Sequence, residues 1–305
     1  MVSWNCSWIG RHHLRSAVHH LRFDLFWFPV ASLEDIANRE NIIGWEASYE
    51  PLADNTTDDS KLDNLPDENG ENSRSNRLSR RLPASMQVEK KNALNSWKEL
   101  RGLPHIFPDI PLNSVVAERH EEVGDGKARV RIKSNGKITG RGTDYFAYLQ
   151  VVNGTLDAYA RQVRSLEEKY WIGLYPHPEH KGCGFIHKGE PFCITFSYDV
   201  NVPKLIKRMF KCSPPFRLMG EPEEIGTDYY AVDAVDLHIN QPVSFEIAPD
   251  LMRIYLYEGT CGNTIVRIIK ALQHGVDSNL SHPVLNNGSP DLVALSKDYK
   301  SEVLV

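Results

Sequence analysis

Between Pro51 and about Met86 the chain changes character, so any fold must be built from what lies on either side. Asp54, Asp58, Asp59, Asp63, Asp67, Glu68 and Glu71 come first, then Arg74, Arg77, Arg80 and Arg81, with Asn, Ser and Thr between them and few apolar residues. Such a stretch buries too little apolar surface to offset the entropy of ordering it, and a disordered polar linker is expected over 51–90. The organisation that follows is an N-terminal aromatic, amphipathic segment over 1–50, the linker, a folded domain over 110–276 and a loosely held tail over 277–305.

The first 23 residues hold no acid but carry Arg11, Arg15 and Arg22, within the near-repeat His-His-Leu-Arg at 12–15 and 19–22. Leu14, Val18 and Leu21 fall at i, i+4 and i+7, flanked by Trp4, Trp8, Phe23, Phe26 and Trp27. This pattern fits a helix packed on its own domain, an interfacial membrane anchor or a mitochondrial-type presequence.

Composition narrows the class. The 305 residues are 41% hydrophobic with a net charge of −5, which excludes a collagen-like or wholly disordered chain and makes the whole molecule a poor magnet for nucleic acid. The longest apolar run, Leu25 to Leu33, falls well short of the roughly 18 residues of a membrane span. Cys6, Cys183, Cys193, Cys212 and Cys261 are odd in number and form no Cys-x-x-Cys, so reduced thiols in a cytoplasmic protein are expected, with peripheral membrane association left open.

Regular patterning resumes after the linker. Ala128, Val130 and Ile132 alternate with Arg129, Arg131 and Lys133, as in a half-buried strand. Cys193–Val200, Tyr229–Leu237 and Met252–Tyr257 read as further strands, and Leu156–Tyr170, Val202–Lys211 and Asn263–Gln273 as helices, the last capped by Asn263. Strands and helices mix without regular βαβ alternation, which predicts an α+β fold with a mostly antiparallel sheet packed with a few helices. Two segments resemble each other, Gly140–Tyr148 and Ile225–Val232, each placing Gly-Thr-Asp at a turn with an aromatic pair entering a strand and the second aromatic pointing inward.

This pair of corners resembles the C-terminal domain of the plant enhanced disease resistance proteins. Arg141, Gly142 and Tyr145 look like that family's opening corner. Leu205 to Lys207, with Pro215, Leu218 and Gly220, look like its approach, and Gly226, Asp228, Tyr229, Asp233 and Asp236 like its closing strand. Tyr255 to Leu272 is similar to the last strand and helix. The resemblance covers about 138–273 and implies a non-catalytic, membrane-associated or lipid-binding module with no catalytic residues.

Three constellations carry candidate chemistry. Val202, Leu205, Ile206, Met209 and Phe210 form an apolar stripe ringed by Lys204, Lys207, Arg208 and Lys211, which suits an anionic lipid surface or a solvated face over a core stripe. The stacking aromatics that single-stranded nucleic acid needs are not beside those cations, so nucleic acid is the weaker ligand. His177, His180, Cys183, His187 and Cys193 share a Gly/Pro-rich loop that can hold zinc or simply face water. Asp236 and His238, two apart on one strand face with Asp233 opposite, are a potential acid/base pair, though no Gly-x-Ser-x-Gly, His-Glu-x-x-His or P-loop motif accompanies them. Cys212 and Cys261 lie beside helix termini but lack an assigned base. The sequence thus favours a non-enzymatic lipid- or membrane-associating module without a cofactor, and its alternative is a metal-dependent hydrolase-like enzyme using the His/Cys loop.

Overall fold

A computed structural model describes residues 25–49, 84–90, 93–101, 110–120, 126–176, 185–211 and 216–283. Among them run α1 (Val30–Arg39), β1 (Ile42–Tyr49), β2 (Ala84–Glu89), α2 (Ala93–Arg101), β3 (Leu112–His120), β4 (Lys127–Lys133) and β5 (Ile138–Gly142). The long α3 (Tyr145–Tyr170) is followed by β6 (Trp171–Pro176), β7 (Phe185–Lys188), β8 (Phe192–Thr195) and α4 (Val202–Ile206). Last come β9 (Phe216–Leu218), β10 (Glu223–Gly226), β11 (Tyr229–Asp236), β12 (Gln241–Ile247), β13 (Leu251–Tyr257) and α5 (Asn263–Gly275).

Alternation builds the first sheet. Ala128, Val130 and Ile132 are buried while Lys127, Arg129, Arg131 and Lys133 take the other face, as a period of two requires. The strand order is β2-β1-β3-β4-β5, antiparallel throughout. Trp45 of β1 anchors α2: its indole N–H donates to the Ala93 carbonyl at 3.0 Å, and its ring meets Trp97 edge-on at 5.3 Å. The polar expectation over 51–90 therefore ends in an edge strand, since β2 pairs with β1 from Tyr49↔Ala84 to Gly44↔Glu89. Nor is the described part of 1–50 a separate segment, because β1 also lies beside β3. Residues 1–24 and 50–83, with the basic amphipathic pattern and most of the linker, lie outside the described residues.

The second sheet runs β10-β11-β12-β13-β6-β7, with β8 added on β13 and β9 on β11; only β13–β6 is parallel. Val243, Phe245 and Ile247 of β12 and Met252, Ile254 and Leu256 of β13 turn inward and are buried. Helix α5 packs here with Ile265, Val266, Ile268, Ile269 and Leu272 fully covered. The class is α+β, with two mostly antiparallel sheets and, among the described residues, five α-helices.

Three local expectations change. Helix α3 begins at Tyr145, not Leu156, because Asp144 caps it: the Asp144 carboxylate accepts the Ala147 N–H at 2.9 Å. Only the first turn of Val202–Lys211 after the Asn201 cap and Pro203 is α-helical; Lys207–Lys211 continues as a π-turn. The start of the expected tail is held rather than loose, since Asp277 accepts the Ser197 N–H at 2.6 Å and hydroxyl at 2.9 Å, and Ser281 bridges Thr195.

Candidate surface site at the β5–α3 corner

The site begins with a turn. Gly142 has φ +142°, and a Cβ there would stand 2.1 Å from the Lys127 carbonyl oxygen, so only glycine lets the chain pass this close. That carbonyl then accepts the Thr143 N–H at 2.9 Å and the Asp144 N–H at 3.3 Å, while Asp144 caps α3. Two positions earlier in β5, a Cβ on Gly140 would meet the Tyr148 ring at 2.3 Å, so glycine also seats that ring against the strand. Tyr145 stacks on Tyr148 with centroids 6.2 Å apart and meets Phe146 edge-on at 6.4 Å. The consequence is unusual for a protein surface: on a pinned corner, Tyr145 is 66% exposed and Phe146 77% exposed.

Charge on the adjoining sheet face is graded. Arg129 donates to Glu118 at 2.6 Å; that hydrogen bond, opposed by partial burial and aided by Arg129's and His120's charge, holds the Glu118 carboxyl below the usual range. Arg131 is shared by Glu89 at 3.3 Å and Glu46 at 3.8 Å, and Lys133 also reaches Glu46 at 3.8 Å. Toward β5 the pairing stops: Lys127, Lys137 and Arg141 are exposed and have no ion-pair partner among the described residues. The β3–β4 connection, residues 121–125, contributes Glu121, Glu122 and Asp125 in sequence and lies outside the described residues.

The sequence-derived candidates sit elsewhere. Val202, Leu205, Ile206, Met209 and Phe210 are all buried, at 1–4% exposure, so the stripe is core and offers nothing to a lipid phase. Lys204, Lys207 and Arg208 are half-buried above it; the side chain of Lys211 lies outside the described residues. Of the proposed zinc donors, His177, His180 and Cys183 lie outside the described residues, and His187 is placed only by its backbone, opposite Leu174 in β7. Cys193 faces the Pro191 carbonyl at 3.7 Å, and burial pushes its thiol up rather than activating it. Among the described residues no group of three or more His, Cys, Asp or Glu side chains could hold a metal.

Asp236 and His238 do not share a strand face. Strand β11 ends at Asp236, whose carboxylate is fully buried and ion-paired with Arg267, and it also accepts the Thr264 hydroxyl at 2.8 Å and the His238 backbone N–H at 3.0 Å. The His238 ring instead meets Trp27 edge-on at 5.8 Å. Asp233, on the opposite face, accepts the Ser244 hydroxyl. Cys261 is a thiol whose N–H donates to Gln241 at 2.8 Å, and Cys212 lies outside the described residues.

A model of the MJECL33-like protein family matches residues 12–288. The chain belongs to the MJECL33-like protein family. It is also similar to the protein described as Uncharacterized protein MJECL33 of Methanocaldococcus jannaschii, at 25% identity over 146 residues, 47% of this chain and 33% of that relative. The chain thus spans about a third of that relative's length. No solved structure matches it.

Membership of this family overturns the resemblance to the enhanced disease resistance domain. The two Gly-Thr-Asp corners that carried it are different structures. The first caps helix α3 with Phe146 pointing out, while the second is the β10–β11 hairpin, with Asp228 at φ +53° and Tyr230 half-buried against the core. The exposed aromatic corner was hidden in sequence because Tyr145, Phe146 and Tyr148 carry strand propensity. The one available signal was the Asp144 cap position ahead of them.

Proposed function

We propose that this MJECL33-like protein is a non-enzymatic module that docks reversibly on anionic membrane surfaces through the β5–α3 corner. The observation that carries the reading is the adjacent pair Tyr145 and Phe146, 66% and 77% exposed on the corner formed by the Gly142 turn and the Asp144 cap. A phenylalanine that projects from a helix start can enter the acyl boundary while a neighbouring tyrosine keeps its hydroxyl among headgroups. Lys127 and Arg141 flank the pair and supply attraction of about 1 kcal/mol each near an anionic surface. Burial of one aromatic side chain adds about 1.5–3 kcal/mol, so the association is weak and reversible, below the roughly 10⁴ M⁻¹ of a single acyl chain.

The contact surface therefore differs from the Lys204–Lys211 face, whose apolar stripe is committed to the core. Among the described residues no helix is long and apolar enough to cross a membrane, so the reading is of docking, not spanning, by this part of the chain. Sedimentation of the full chain with phosphatidylserine-containing and phosphatidylcholine-only vesicles tests it. Binding to the anionic vesicles, lost in Tyr145→Ser/Phe146→Ser and kept in Lys204→Gln/Lys207→Gln, supports the reading. Binding unaffected by the aromatic pair, or transferred to a single-stranded oligonucleotide competitor, contradicts it.

A further inference from the structure

Away from that corner, helices α1 and α3 border an open cavity of about 180 Å³ lined by Phe28, Ser32, Ile36, Thr155, Tyr159 and Gln162. Its floor holds a buried amide with spare bonding capacity. Gln162 is 9% exposed, and its carboxamide makes only two long contacts, both with the Ser32 hydroxyl and both at 3.3 Å. A primary amide can donate two hydrogen bonds and accept two, so this one can take further partners from inside the cavity. Thr155 has no donor left to offer, since its hydroxyl donates to the Val151 carbonyl at 2.8 Å.

The rim carries the charge. Asp35 and Arg39 pair with each other at 3.0 Å across one turn of α1. Arg161, one residue from Gln162 on α3, is exposed and has no ion-pair partner among the described residues. Two guanidinium groups against one carboxylate leave room for a single added negative charge, and Asp35 repels a second. Phe28, Ile36 and Tyr159 supply an apolar wall beside the amide. From this arrangement we propose that the α1–α3 cavity binds a small organic monocarboxylate: the carboxylate lies on the Arg161 fork, one of its oxygens also accepts from the Gln162 carboxamide, and a short apolar body lies on the wall. A planar guanidinium matches a carboxylate with two parallel N–H donors, and it is the Asp35 charge on the rim that disfavours a compact dianion.

The test uses the full chain and two probes, butyrate and inorganic phosphate, titrated at constant ionic strength while Tm is followed. Butyrate is expected to raise Tm with the logarithm of its concentration above the dissociation constant, by about 3 °C at ten times that constant. The rise disappears in Arg161→Ala, an exposed substitution that leaves the fold intact, and shrinks in Gln162→Leu. Heats of butyrate binding by calorimetry give a second readout if Gln162→Leu itself lowers Tm. No rise in Tm with butyrate, an equal effect of phosphate, or an effect that survives Arg161→Ala overturns the assignment.

Discussion

Asp236 and Arg267 form an ion pair from which solvent is excluded, with side chains 0% and 1% exposed. It joins the end of β11 to the middle of α5, and Arg267 also lies 5.7 Å from the centre of the Trp27 ring, tying in the N-terminal stretch. Removing one partner leaves the other charged and buried, so Asp236→Asn is expected to cost about 3–5 kcal/mol in urea unfolding. An apolar exchange of both, Asp236→Leu with Arg267→Met, recovers part of that loss, because no buried charge remains while the Thr264 hydroxyl and the His238 N–H lose this acceptor. A double variant as unstable as the single one would mean that the pair does more than hold the two elements together.

A second buried group makes stability depend on acid. His274 is 6% exposed on α5, and burial, reinforced by the positive charge of Lys270, lowers its pKa to about 3, against an opposing bond with the Ser48 backbone. The unfolded chain takes up this proton near pH 6.5 and the folded chain does not until about pH 3. Stability from this residue is therefore fully present above pH 6.5 and falls with pH by about 1.4 kcal/mol per unit across that window. Half-buried His282 is lowered too and adds in the same direction. Unfolding free energies at pH 7 and pH 5 should differ less in His274→Gln than in the parent chain.

The α3 cap makes a smaller, more local prediction. Asp144→Ala should destabilise by about 1 kcal/mol through loss of the bond to the Ala147 N–H. Gly142→Ala should do more, because the new Cβ meets the Lys127 carbonyl and the backbone must leave φ +142°. Both are read as shifts in the denaturation midpoint, with weakened vesicle binding in Gly142→Ala as the corner moves.

Strand β4 was legible because its alternation leaves one face no choice, and β11, β13 and α5 were legible for the same kind of reason. Local pattern misled where a distant partner decides. Asn263 looks like a cap for α5, yet Gly262 takes that position, and the Asn263 amide instead donates to the Leu25 carbonyl at 2.9 Å. The basic helix at 202–211 looks amphipathic for a membrane, but its apolar side faces β9 and Phe245 inside the core. Asp236 and His238 look paired by spacing, but the strand ends between them. The exposed corner depends on glycine contacts between β4, β5 and α3 that no short window of sequence contains.

The N-terminal stretch supplies one more test. Tyr159 accepts the Trp27 N–H at 3.1 Å and donates to Asn263, so one hydroxyl links residues 25–28 to α3 and α5. Tyr159→Phe removes both bonds and should cost about 1–3 kcal/mol. Amide exchange at Trp27 should quicken more than exchange in β12. Uniform acceleration throughout the chain would argue against a local latch.

The membrane reading stands or falls with the β5–α3 corner. Its most direct test places an indole at the tip, by Phe146→Trp in the full chain, and follows fluorescence as the difference from the parent, whose own six tryptophans are thereby subtracted. Against phosphatidylserine-containing vesicles the account predicts that emission from the introduced indole shifts to the blue on binding, with tighter binding at low salt than at physiological salt. Lys127→Gln/Arg141→Gln in the same background weakens the binding and flattens its salt dependence. An introduced indole whose emission stays that of a water-exposed ring while the protein sediments with the vesicles would contradict the claim.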